Sequence, residues 1–529
     1  MSNKSIVWAF RSLFCLVVAL TLTLFNAPMR YTAMAASPDN DHIATRQEAR
    51  TVAENWLRLI VERDGQWSGE KHPAIDNFTE FKRGDLLLGY YASVKPQGYI
   101  IIAALKDFAP IQAYSTDSNL DPNREDEKGM GALLKDVLER RISLLIERFG
   151  GLDQLKVEEI GGYAPQANRR AWSYLLEGGS TLRSNLLSMN AQVGRVGPLL
   201  RTSWHQRPPY NNECPNMGCT WDSYGNFNQN AVVGCVPLAM AQIMRYYAWP
   251  PYFDEYYDWP NMLNRYKYEN NWFVDQNGHP VTQAQIDAVA DLCADAGSVI
   301  HIDYGCSGTG AFMCNWAYDD ARDAFEDHFF YSNPGNDEPQ CEERDSYDFN
   351  TWWNMIREEI DHNRPMMYRI ANHDFDHLIV VDGYDNTGGQ YLVHANYGWD
   401  DGHTAWYTLD QFDCNGIGAC DWGSYEMTRF IYPRTGLCGV AWVNLGPRNS
   451  ATDLHHYVYC DVTLLNVTIQ GGAWVQFLPG TSIMGGSASI EGRSPAETRL
   501  FSDGLPTRGL KVAGGGKIKL YPSGSIRVH

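Results

Sequence analysis

Between residues 235 and 409 helical patterns come first and strand patterns come after, and that order limits the fold more than any other feature. "CVPLAMAQIMRYY" (235–247), a run at 282–296 and another at 350–361 carry apolar residues at helical spacing. "HLIVVDGY" (377–384), "QYLVHANYG" (390–398) and "HTAWYTL" (403–409) then read as strands. Alternating strands and helices would predict a parallel sheet wrapped by helices. The segregated order predicts an α+β domain with a helical part and a sheet part.

The rest of the chain has different patterns, and 529 residues are too many for one core, so two to four domains are expected. "TRQEARTVAENWLRLIVERDG" (45–65) reads as an amphipathic helix with a Thr45/Glu48 capping box and a Gly65 stop. Residues 86–105 read as two strands around a Pro-Gln-Gly turn, 109–115 as a further strand, and 131–151 as a second helix. Together they make a small α+β domain with no catalytic cluster. Residues 152–196, with "ANRRAW" and "EGGSTLRSN", lose periodicity and read as an exposed, cleavable connector. From about 440 short alternating strands with Gly/Pro turns predict a small all-β domain, without a long-period repeat.

Lys4 and Arg11 precede the apolar run 13–25, and an A-x-A site ends at Ala35, the pattern of a secretory signal peptide. No other stretch is long and apolar enough to span a membrane, so no span is expected after signal cleavage. A secreted or periplasmic chain allows disulfides. A formal charge of −20 argues against nucleic acid or an anionic membrane as partner. Of 12 cysteines, Cys15 leaves with the signal; with Cys235 set aside, ten remain. Cys214/Cys219, Cys414/Cys420 and Cys438/Cys460 are near enough in sequence to pair, and Cys293, Cys306, Cys314 and Cys341 form a second group.

Cys235 has no cysteine beside it. It follows Gly234 and precedes Pro237, which favours a helix start, so it sits at or beside an N-cap. Unpaired N–H groups there predict a lowered thiol pKa and a nucleophilic thiolate. A nucleophile needs a base and the base an orienter. His362, His373, His377, His394 and His403 are candidates; His377 begins a strand, and the next strand carries Asn396 and Trp399. Spacing alone does not choose among them. His373 and His377 read as strand residues about 13 Å apart, too far for a shared metal.

"GCVPLAMAQIMRYY" and "HLIVVDGY…YLVHANYGWDDG" resemble the cysteine and histidine motifs of the streptopain family of papain-like cysteine peptidases. "SWHQRPPYNNECP" (203–215) resembles the segment ahead of the nucleophile, and "DAGSVIHIDYGCSGTGA" (295–311) one lining the cleft. The upstream domain, with "KPQGYIIIAALKDFAPIQAYS", is similar to the family's inhibitory propeptide. The signal pattern (1–35) and the β pattern of the tail (438–529) bracket the resemblance, which covers roughly 45–435 and implies an inhibitory α+β propeptide with its connector (36–195) and a papain-like catalytic domain (196–437). It implies Cys235 as nucleophile, His377 as base, Gln206 as oxyanion donor with the Cys235 N–H, and Asn396 and Trp399 orienting and shielding the imidazole. Gln229, six residues before Cys235, competes with Gln206. No cofactor or metal is implied; the expected partners are protein or peptide substrates and the chain's own propeptide. Two departures stand out: Phe375 and Asp376 precede the histidine where the family usually has glycine, and Tyr397 stands where Trp is common. An inactive, peptidase-like binding protein and another papain-like acyl transfer are the competing classes.

Overall fold

The computed structural model describes residues 41–433 except 124–129, 156–164, 178–193, 221–227, 332–338, 400–402, 410–424 and a few single or paired positions; beyond 435 it describes strand backbones alone. The expected signal peptide, Cys414 and Cys420 lie outside the described residues, as do the side chains of Cys438 and Cys460.

The first unit begins with helix α1 (Arg46–Asp64), closed by the expected Thr45/Glu48 capping box and by Gly65 at φ 78°. Strands β1 (Ala74–Arg83), β2 (Leu86–Lys95), β3 (Tyr99–Ala103) and β4 (Ile111–Ser115) follow as an antiparallel meander. β1 buries Phe78 and Phe81 among exposed and half-buried positions and shows no strand run in the sequence. Helix α2 (Met130–Phe149) matches expectation, but α3 (Pro165–Glu177) does not. "ANRRAW" is helix rather than exposed connector: Trp172 and Leu175 are buried, and Asn168 and Arg169 bond the buried Asp107. Its burying residues are only three apart, too few to produce a readable period.

The second unit starts at β5 (Arg195–Val196) and contains helix α4 (Cys235–Tyr247), a hairpin of β6 (Lys267–Glu269) and β7 (Trp272–Val274), and helix α5 (Gln283–Ser298). A two-residue ladder of β8 (Ile302–Asp303) and β9 (Gly310–Ala311), helix α6 (Ala321–Asp327), β10 (Gln340–Glu343) and helix α7 (Phe349–Asp361) come next. β11 (Met366–Asn372), β12 (Phe375–Asp385), β13 (Leu392–Asn396), β14 (Ala405–Thr408) and β15 (Glu426–Arg429) complete it. Short strands are interspersed among the helices, but the long strands β11 to β15 follow them, and the α+β class holds.

The two units share one sheet. Its order is β1-β2-β3-β4-β14-β13-β12-β11-β15-β10, with β5 on β12. The join is β4 with β14, where Tyr114 faces Trp406 and Ala113 faces Tyr407; the Tyr114 and Trp406 rings stack at 6.0 Å. Arg63 of α1 reaches the buried Asp385 of β12 (2.7 Å), which also accepts from Tyr114 (2.9 Å). Each sheet face carries its own core. Ile379 and Val381 of β12 join the core of α1–α3 and α7, while Leu378 and Val380 join that of α4 and α5.

Past residue 435, β16 (Gly436–Ala441), β17 (His456–Ile469), β18 (Trp474–Phe477), β19 (Ile483–Ile490), β20 (Thr498–Ser502), β21 (Lys517–Leu520) and β22 (Ile526–Val528) form a separate sheet. The expected β class is met, but every pairing is parallel. Short strands with Gly/Pro turns suggest hairpins, and the sequence carries no signal of this stacking.

Candidate active site

Cys235 is the first residue of α4, with Gly234 at its N-cap at φ 96°. A Cβ at Gly234 would lie 2.9 Å from the Thr309 side chain, so glycine is needed for both backbone and space. Val232 and Val233 on the approach are pinned by Gly305 (3.0 Å) and by the Gln206 carbonyl (3.0 Å). The Cys219–Cys306 disulfide ties the flanking loops, and Cys314 pairs with Cys341. The expected Cys214/Cys219 pair is therefore wrong: Cys214 and Cys293 are buried free thiols, and sequence proximity misled because the fold brings residue 306 to residue 219.

The sulfur receives the N–H groups of Leu378, Val236 and Cys235, which favour thiolate. Burial outweighs them, and with Asp376 nearby the thiol is held above its ordinary value. The expectation of a lowered value fails because desolvation at the half-buried Cys235 outweighs the N–H groups of the helix start. His377 is buried too, and desolvation brings it down to about 4. Desolvation thus disfavours the charged form of both thiol and imidazole.

His377 is the third residue of β12, not its first. Its Nε2 donates to the Tyr397 carbonyl at 2.8 Å. A carbonyl only accepts, so Nε2 carries the hydrogen and Nδ1 is the basic nitrogen. Trp399 packs on the ring with centroids 4.4 Å apart. Asn396 does not orient the imidazole directly. It sits opposite Val380, and its amide is used elsewhere: Nδ2 donates to the Thr202 carbonyl (2.8 Å) and Gln242 (2.9 Å), and Oδ1 accepts from Gly398 (3.0 Å) and Gln242 (3.3 Å). The orienting acceptor is the next residue's backbone, which no side-chain pattern reveals.

Gln206 and Gln229 separate cleanly. Gln206 lies beside the nucleophile loop through its bond to Val233, and His205 next to it bridges to Trp399. The Gln229 side chain is exposed, and its carbonyl serves Met217 and Cys219 in the disulfide loop. Of the other histidines, His394 bonds Asp382 within the sheet, His403 bonds the Trp399 carbonyl and His362 caps α7; His373 lies outside the described residues.

The thiol thus lies at a helix start and takes the backbone N–H of the residue after His377, whose tautomer is fixed by the Tyr397 carbonyl. The profile described as "Peptidase C10 family" matches residues 204–407. Those residues form a domain of the Peptidase C10 family. The segment ahead of the C10 domain, 41–141, matches the profile described as "Spi protease inhibitor". Streptopain of Streptococcus pyogenes is 25% identical over 231 residues, 41% of this chain and 55% of that protein. The thiol protease/hemagglutinin PrtT of Porphyromonas gingivalis is 25% identical over 223 residues, 39% of this chain and 23% of its own. The match thus spans about half the length of streptopain and less of PrtT. Among solved structures, a Prevotella intermedia prointerpain A fragment aligns at TM-score 0.46 and 19% identity, over 68% of this chain and all of that one. Among the described residues, no helix is long and apolar enough to cross a membrane.

Proposed function

We propose that the chain is a secreted cysteine endopeptidase made as a zymogen. The observation that carries this reading is the pairing of Cys235, at the start of α4, with the β12 backbone next to His377, whose Nε2 is tied so that Nδ1 is the base. Nδ1 takes the thiol proton, and the sulfur attacks the peptide carbonyl carbon. The resulting oxyanion is held by the Gln206 amide and the Cys235 N–H. The tetrahedral centre collapses, the C–N bond breaks, and the imidazolium returns the proton to the leaving amine. Water, deprotonated by Nδ1, then hydrolyses the thioester and restores the thiol.

Residues 36–195 act as the inhibitory part, supported by the inhibitor-type match and the shared sheet. The activating cut falls in 178–193. Upstream, α3 is built into the propeptide core; downstream, β5 pairs with β12, Leu199 and Leu200 bond Asp382, and Asn396 bonds Thr202. Secretion rests on the 1–35 pattern, and 438–529 is a separate β domain.

The test is proteolysis of casein by the full chain. Cys235→Ser or His377→Ala should remove nearly all activity while a peptide epoxide labels the wild-type chain at Cys235. The double variant should be hardly worse than either single one, because the two residues act as a unit. Full activity in Cys235→Ser would end the reading, and an intact fold that neither labels nor cleaves would favour a binding protein.

A further inference from the structure

We propose that Gln242 is a positioning residue for the catalytic base, acting through Asn396 and the turn after it. The inference rests on the peptidase reading above. Gln242 lies on α4 seven residues after Cys235, about 10 Å along the axis, in the otherwise apolar run "LAMAQIM". It is 1% exposed, Asn396 is 2% exposed and Thr202 is 6% exposed, so each unmatched polar atom here would be costly.

The bonds among them are complete and directional. Gln242 Oε1 accepts from the Thr202 hydroxyl (2.8 Å) and from Asn396 Nδ2 (2.9 Å), and its Nε2 donates to Asn396 Oδ1 (3.3 Å). Two backbone groups fix which way the Asn396 amide points: the Thr202 carbonyl takes Nδ2, and the Gly398 N–H gives to Oδ1. The Gly398 bond closes a turn, and the carbonyl between its ends, that of Tyr397, holds His377 Nε2 at 2.8 Å. The turn lies directly on α4, since a Cβ at Gly398 would meet Leu238 at 2.7 Å and lies 3.9 Å from Gln242 Nε2.

One helix thus carries the nucleophile at its start and, two turns later, the amide that sets the carbonyl aligning the base. Without Gln242 the Asn396 amide keeps one backbone partner at each end but loses its anchor to α4. The Tyr397 carbonyl then moves relative to Cys235, and a misplacement of about 1 Å in such an arrangement can cost on the order of 100-fold in rate.

The experiment compares processed wild-type chain with Gln242→Leu, Gln242→Glu and a control, Tyr247→Phe, which removes a buried bond from the same helix to the Ile431 carbonyl. Sites are counted with the peptide epoxide, so loss of folded enzyme is separated from slower sites. Gln242→Leu is expected to lower kcat per counted site by 10- to 100-fold with KM within about twofold. Gln242→Glu keeps the acceptor oxygen but sets a second oxygen against Asn396 Oδ1 where Nε2 donated, so it should be slowed as well, and Tyr247→Phe should match wild type. The pH profile of Cys235 alkylation by iodoacetamide reads the same alignment without a peptide substrate. In Gln242→Leu it should move toward the profile of His377→Ala. Wild-type kcat per site and an unchanged alkylation profile in Gln242→Leu would overturn the proposal, as would wild-type kcat per site in Gln242→Glu. A wild-type chain that alkylates normally but cleaves nothing would instead sink the peptidase reading.

Discussion

His377 charges only reluctantly in this form, and that has a measurable sign. Its folded value of about 4 lies below the ordinary 6.5, so the unfolded chain binds the extra proton between those values. The stability it contributes is present above about pH 6.5 and is lost as pH falls toward 4, by at most ~1.4 kcal/mol per pH unit. Urea midpoints of the Cys235→Ala precursor should therefore fall more steeply over that window than those of Cys235→Ala/His377→Phe; parallel curves would refute the assignment. The second expectation at this scale concerns the two glutamines. Gln206→Ala should lower kcat by ~10²–10³ with little change in KM, as loss of one oxyanion donor does. Gln229→Ala, with its side chain in solvent, should do much less; the opposite ranking in steady-state kinetics would reassign the donor.

At the scale of elements, the turn from Asn396 to Trp399 depends on Gly398, whose φ of 65° disfavours other residues and whose missing Cβ lets Leu238 approach. Gly398→Ala should cost about 1–3 kcal/mol in unfolding and lower kcat per counted site, because the Tyr397 carbonyl moves with the turn. Thermal melts and active-site-normalised rates that both match wild type would show the turn to be tolerant. The elements also mark how far the sequence could be read. α1 with its capping box, the β2–β3 hairpin, α4, α5 and α7 were legible because each buries one face over many residues or carries its own cap. α3 and β1 were not: α3 buries too few residues to set a period, and β1 buries Phe78 and Phe81 three residues apart rather than at strand spacing. Cys235, His377 and Trp399 were legible as residue types at motif spacing. The Tyr397 carbonyl was not, since a backbone group has no letter of its own. Gln242 was not singled out, and the Asn396 amide bonds Thr202 and Gln242 rather than the imidazole expected for it.

At the scale of the molecule, the inhibitor-type unit and the C10 domain share a sheet, and the zymogen reading makes a direct claim. Residues 41–177, expressed alone and added to processed enzyme, should inhibit peptide hydrolysis, and cutting within 178–193 should release activity from the full chain. An unaffected rate, together with a precursor already fully active, would leave the first unit a permanent part of the enzyme. The β4–β14 join has a further consequence once the two units part. β14 would become an outer strand with the backbone amides and carbonyls that had paired with β4 left open at the join, a template for any extended chain. The liberated enzyme should then be the more adhesive species, self-associating at concentrations where the precursor stays monomeric, so that keeping the severed propeptide nearby would serve solubility as much as restraint.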